Sequence, residues 1–355
     1  MAVFARHAGA FGAPSYSEFS RREFLHFGLK AAALLAMSSS TLSTALSRQP
    51  KCHDLIPAVL KFLRKHCGGQ PCDAAAFEHD LIAPHQTIFD NFVGRKTPQE
   101  LADYIVELGP LVGGMQALHQ RFADELPAGV DRFRARFPDF TWSGPVILMV
   151  NLFQFDAGTG PLDEYNAIAF GLDTIVRQYG PELALPVLIS HELFHVYHDE
   201  FHPWWRLGQR GKNVPLYRLV WQEGLAAYMS GELNPPVQES QILFSPTLEE
   251  ECRRRLRDLA SSLSAALDHT DRKSYCLWMG AAQRDGLIPP RAGYYLGQQI
   301  AAQVAAEYTP EEMVRLPDAK IRRLMQDCLL IMQRRPGASG TSFASNDLTD
   351  DGGGI

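Results

Sequence analysis

A chain of 355 residues with 46% hydrophobic and 21% charged side chains is long enough to bury a substantial core, as one large domain or two ordinary ones. A formal net charge of −6, with no dense basic stripe, excludes nucleic acid as the main partner. The extended compositional bias is confined to residues 336–355, rich in Gly, Ser and Asp and expected to be a disordered tail.

Residues 1–47 read as a leader. Ser20-Arg21-Arg22-Glu23-Phe24-Leu25 precede a moderately apolar run from Phe27 to Met37, broken by Lys30, and then small and polar residues through Ser47. A transmembrane anchor needs about 20 apolar residues without a mid-span charge, and this run has fewer. The paired arginines, weak apolar core and small residues near Ala45 resemble a twin-arginine export signal. That resemblance implies a periplasmic or secreted protein, with the twin-arginine export machinery as a transient partner and no stable membrane anchor after cleavage. Cys52, Cys67, Cys72, Cys252, Cys276 and Cys328 all follow the leader, so an even number of thiols is free to form disulfides whose pairing the sequence leaves open.

Residues 48–135 form a helical region in which nothing rises above packing. Leu55, Ile56, Val59, Leu60 and Leu63 have helical spacing between Asp54 and His66, and a second helix is expected over Asp73 to Phe92 with a break at Pro84. Thr97-Pro98-Gln99-Glu100 has the form of a cap and first turn leading into Leu101–Leu108. Gly113-Gly114 is read as punctuation before a helix over Met115–Leu126.

The character changes over residues 136–335. The apolar run Pro145–Phe155 predicts a strand, followed by a loop at Asp156–Pro161. Ala167–Tyr179 predicts a strand entering a short helix, and Pro186 suits the first turn of the next helix, which ends before Pro203. Trp204 and Trp205 fall in a loop over the expected cleft. Helices are also predicted over Thr247–Leu267 and Ala319–Met332. The fold class is α+β and mostly helical, with a small β-sheet next to the central helix and a helical C-terminal part.

That central helix carries His191-Glu192-Leu193-Phe194-His195. Positions i and i+4 share a helix face, so His191 and His195 present two imidazole nitrogens to one metal, with Glu192 beside the metal's open position. A zinc ion with three protein ligands acidifies its water to a pKa of about 7, and a neighbouring carboxylate can then take the proton. The pentapeptide is short enough to arise by chance, so its surroundings matter. Metzincins continue with Gly and then His at fixed steps; here His198 and Phe201 occupy those positions, which excludes that class.

Downstream, Leu219-Val220-Trp221-Gln222-Glu223-Gly224-Leu225-Ala226 forms a second helical stretch, whose Glu223 is a candidate to complete a His₂Glu set of metal ligands. This run resembles the second zinc helix of the gluzincin metallopeptidases, the thermolysin and aminopeptidase N type, and the predicted zinc-dependent protease domains that share HExxH and a later Glu-Gly. The resemblance covers roughly residues 140–310 through short motifs. It implies a bound Zn²⁺, a peptide or protein substrate, Glu192 as general base and a phenol on the oxyanion. Gly293-Tyr294-Tyr295-Leu296-Gly297 is similar to the Tyr-x-x-Gly of that family, which implies the oxyanion role for Tyr294, with Tyr295 as the alternative. The chain departs from the aminopeptidases in lacking the Gly-x-Met-Glu-Asn run that anchors a free amine, so exopeptidase action is not implied. Asp173 and Asp199 are candidates to orient the histidines. The competing expectation is a zinc-binding envelope or assembly protein with this fold and no turnover.

Overall fold

The computed structural model describes residues 49–66, 73–202, 214–280 and 286–334. The leader expected at 1–47, the tail expected at 336–355, the thiols Cys67 and Cys72, and the loop carrying Trp204 and Trp205 lie outside the described residues. The architecture is α+β and mostly helical, with one four-stranded sheet.

The sheet consists of β1 (Cys52–Asp54), β2 (Val146–Met149), β3 (Ala157–Leu162) and β4 (Tyr165–Gly171) in the order β1-β2-β4-β3. β1 runs parallel to β2 and β2 parallel to β4, with Val146 opposite Ile168, while β3 returns antiparallel to β4 as an edge strand. Around it lie α1 (Ile56–His66), α2 (Ala74–Phe77), α3 (Gln86–Phe92), α4 (Pro98–Leu108), α5 (Val112–Arg136) and α6 (Leu172–Tyr179). The chain then continues through α7 (Leu185–Phe201), α8 (Leu216–Leu233), α9 (Glu239–Ile242), α10 (Leu248–Arg254) and α11 (Leu256–Ala266). It ends in α12 (Arg272–Trp278), α13 (Ala292–Val304), α14 (Pro310–Met313) and α15 (Asp318–Arg334). Among the described residues no helix is long and apolar enough to cross a membrane.

Local chemistry sets several boundaries. The Thr97 hydroxyl accepts from the Glu100 amide at 3.3 Å while the Thr97 amide donates to the Glu100 carboxylate at 2.7 Å, a reciprocal cap that starts α4 where the sequence predicts it. Between Asp73 and Phe92 the backbone passes from α-helix to a π turn at Glu78–Ile82 and a 3₁₀ turn at Ala83–His85, because Pro84 cannot donate to an α-helical ladder.

Four expectations are corrected. Gly113-Gly114 does not punctuate, since α5 runs through both glycines and through Pro127 to Arg136. Small residues are needed there: a Cβ at Gly114 would fall 2.6 Å from Val176 Cγ1 of α6, and one at Gly129 2.7 Å from Ile189 Cγ2 of α7. The run Pro145–Phe155 is a strand only over Val146–Met149, after which Leu152 and Phe153 turn with φ of 59° and 58°. The buried Asp173 carboxylate holds that turn, accepting from the Asn151 amide at 3.0 Å, the Phe153 amide at 3.1 Å and the Tyr104 hydroxyl at 2.9 Å. The segment read as a loop at Asp156–Pro161 is largely strand β3, its glycines and Pro161 tolerated because it lies at the sheet edge. The helix expected over Thr247–Leu267 is divided at Arg255 into α10 and α11.

Cys52, Cys252, Cys276 and Cys328 are free thiols. The core is continuous from α1 to α15, and α7 lies inside it. Every residue of α7 from Val187 to Asp199 is buried, so the helix is enclosed by the sheet, α5 and α8 instead of showing one apolar stripe. Phe133 of α5 and Phe137 just after it pack on Phe194 and Tyr197 of α7, with Phe137 and Tyr197 centroids 4.7 Å apart. Asn234 at the end of α8 donates to the Ser190 hydroxyl of α7 at 3.0 Å, which ties the two site-bearing helices together beside the histidine pair.

Candidate metal centre

His191 and His195 lie one turn apart on α7 with their Nε2 atoms 3.0 Å from each other. From α8, Glu223 Oε2 stands 3.3 Å from His191 Nε2 and 3.2 Å from His195 Nε2. The three atoms form a nearly equilateral triangle of lone-pair donors. Zinc bonds of about 2.0–2.1 Å in a tetrahedron imply ligand separations of about 3.3 Å, so the spacing of these donors is compatible with a zinc ion. All three residues are buried, so their donor atoms converge on one point largely shielded from solvent.

Glu192 supplies the second carboxylate. Its ligand atom and those of both histidines lie within 4.8 Å of one another, which makes it a possible ligand as well. Glu223 Oε2 is in polar contact with both imidazoles, and Glu192 lines the same cleft beside them. The two helices bring His191, Glu192, His195 and Glu223, the residues singled out from the sequence, into one cleft.

Helix α13 completes the wall. Gly224 on α8 and Gly297 on α13 allow backbone-to-backbone packing, since a Cβ at Gly224 would lie 2.1 Å from the Gly297 carbonyl carbon. One turn before Gly297, Tyr294 lines the cleft with the histidines and Glu223. Burial first, and the Glu223 charge second, push its hydroxyl pKa well above 10, so it stays protonated. Tyr295 is 4% exposed and turned away, and burial first, then Cys252 and Glu249 of α10, raise its pKa to about 12. The structure thus separates two adjacent tyrosines that the sequence leaves as alternatives.

Asp173 does not orient the histidines, because the turn at Asn151–Phe153 occupies it. Asp199 accepts from Asn166 Nδ2 of β4 at 3.0 Å, joining α7 to the sheet. His198 and His202 are buried, at 1% and 4% exposure, with ring centroids 4.9 Å apart. Burial and the neighbouring His202 and His195 lower the His198 pKa well below its ordinary value.

Sequence reasoning missed the opposite wall. Asp156, Gly158, Thr159 and Arg291 line the cleft with the donors. A Cβ at Gly158 would meet nothing within 4 Å, so open space lies over the β3 backbone there. The Tyr179 hydroxyl donates to Asp156 Oδ2 at 2.7 Å and accepts from Arg291 Nη1 at 3.2 Å. The Arg291 guanidinium lies 4.5 Å from the Tyr294 ring centroid. Burial alone would lower the Arg291 pKa, but Tyr294, Tyr179, Asp156 and Glu223 raise it, and the side chain stays charged. No spacing rule marks Arg291; its position just before α13 is the one sequence signal that ties it to Tyr294.

Comparison of the chain with protein-family models, curated proteins and solved structures finds no match.

Proposed function

We propose that this protein is an exported zinc-dependent peptidase of gluzincin type, with His191, His195 and Glu223 as the metal ligands. The observation that carries the reading is the convergence of these three donors at 3.0–3.3 Å in a cleft that Glu192 and Tyr294 also line. Zinc held there would supply Lewis-acid polarisation of the scissile carbonyl and acidify water to a pKa of about 7.

The chain's own groups divide the remaining work. Glu192 takes the proton from the attacking water and passes it to the departing amine. Tyr294, kept protonated by burial and by the Glu223 charge, donates a hydrogen bond to the carbonyl oxygen as negative charge develops on it. β3 offers an edge strand beside the cleft, with open space over Gly158, so an extended peptide can lie along it and use backbone hydrogen bonds. Export rests on the arginine pair of the leader, Arg21-Arg22.

The test is the zinc content of the purified protein together with hydrolysis of a mixed peptide library by the wild type and by Glu192→Gln. Stoichiometric zinc and hydrolysis abolished by the substitution support the reading. Zinc without any cleavage refutes turnover, and negligible zinc refutes the metal centre.

A further inference from the structure

Among the described residues lining the cleft, Arg291 is the permanently cationic side chain, and the two groups it touches directly are the neutral phenols of Tyr179 and Tyr294. Its Nη1 donates to the Tyr179 hydroxyl at 3.2 Å and its guanidinium stacks 4.5 Å from the Tyr294 ring centroid. Among the described residues no carboxylate oxygen lies at ion-pairing distance from it. Asp156 stands beyond Tyr179 and is already committed, with Oδ1 accepting from the Ala157 amide at 2.8 Å and Oδ2 from the Tyr179 hydroxyl at 2.7 Å. A guanidinium carries five N–H donors in a planar fork, and here one of them is taken by a protein group. Arg291 also holds a φ of 62°, a left-handed conformation uncommon for a side chain of this size. A charged, largely desolvated fork facing a substrate cleft is a receptor for a carboxylate, which it binds bidentately.

The position fixes which carboxylate. On the peptidase reading, the scissile carbonyl sits at the Tyr294 hydroxyl, and the guanidinium lies against the face of that same ring. Consecutive Cα atoms are about 3.8 Å apart, so a carboxylate held by Arg291 belongs to a residue flanking the scissile bond. We propose that Arg291 is a specificity-determining residue that selects peptides with a carboxylate on a residue next to the cleaved bond. The source is either the peptide's terminal α-carboxylate or an Asp or Glu side chain. The inference rests on the peptidase reading for its substrate class.

The experiment uses the zinc-loaded full chain and matched short peptides that differ at one group: C-terminal acid against amide, and Glu against Gln beside the scissile bond. The wild type is expected to favour the carboxylate member by about 10- to 100-fold in kcat/KM, the range that a charge-assisted bond supports. Arg291→Gln is expected to reduce that ratio to within about twofold, and Arg291→Lys to retain part of it because a point charge replaces the fork. Preference for acid over amide assigns the α-carboxylate, and preference for Glu over Gln assigns the side chain. Equal rates for both pairs in the wild type, or a preference that survives Arg291→Gln, overturn the proposal. Calorimetric titration with N-acetylglycine and N-acetylglycinamide gives a readout without turnover. Arg291-dependent binding of the acid with no peptide cleaved refutes the peptidase and keeps the receptor, whereas cleavage without charge preference does the reverse.

Discussion

Gly224 and Gly297 face each other across the α8–α13 contact so closely that a Cβ on Gly297 would lie 2.2 Å from the Val220 carbonyl oxygen and 2.8 Å from the Gly224 Cα. Gly224 follows Glu223, and Gly297 lies one turn after Tyr294. The pair therefore sets the distance between the third donor and the phenol across the cleft.

Gly224→Ala or Gly297→Ala must push the two backbones apart, because no side-chain rotamer relieves the clash. Overpacking of this kind costs about 1–3 kcal/mol, and a backbone clash belongs at the upper end. Urea unfolding should show the lowered midpoint, and zinc affinity should fall with it as Glu223 moves away from the histidines. Wild-type stability in both variants would show that the close approach is not needed.

Glu192→Gln and Glu223→Gln should separate chemistry from metal retention. The first is expected to keep zinc and lose about 10²- to 10⁴-fold in hydrolysis, the range typical of a positioned proton-transfer group. The second should lose zinc itself. Removing a group that merely orients a ligand costs about 10- to 100-fold in metal affinity, so loss of a donor should exceed that. Elemental analysis after dialysis, with peptide hydrolysis alongside, distinguishes the two; zinc retained at full affinity by Glu223→Gln would remove it from the donor set.

Tyr294→Phe deletes the donor and keeps the ring. If the phenol stabilises charge present only in the transition state, kcat falls by about 10²- to 10³-fold with KM nearly constant. Tyr295→Phe should leave kcat unchanged, because that side chain points into the core. Steady-state kinetics on the two variants checks the assignment.

His198 predicts a direction for acid sensitivity. Burial and the adjacent His202 and His195 hold its folded pKa well below the unfolded value of about 6.5, so it is neutral in the native protein. Above that pH both states bind the same number of protons and this contribution to stability is complete. Below it the unfolded state binds more, and stability is lost at up to about 1.4 kcal/mol per pH unit. Denaturant midpoints of the metal-free protein between pH 7.5 and 5 should therefore fall, and His198→Gln should flatten the slope relative to wild type; an identical slope would reject His198 as a source.

Much of the site is legible because its signals are local. The helix period places His191 and His195 on one face whatever surrounds them, and Thr97 with Glu100 starts α4 through bonds made within a single turn. The signals that mislead are those whose meaning depends on a distant partner. Gly113-Gly114 looks like a break until Val176 is found against Gly114, and the glycines of β3 look like a loop until β4 supplies the ladder. Asp173 looks like a partner for the histidines until the turn at Leu152 and Phe153 claims its oxygens.

By itself the sequence determined the two-histidine turn, the downstream Glu-Gly, the mostly helical class and the entry of α7 at Pro186, because each depends on spacing along a rigid 3.6-residue repeat. Tertiary structure alone decided that Tyr294 and not Tyr295 faces the cleft, that β3 forms one wall, and that a charged Arg291 stands beside the phenol. Those outcomes are set by which backbones approach closely enough to exclude water, and glycine pairs such as Gly224 and Gly297 control that approach across segments far apart in the chain.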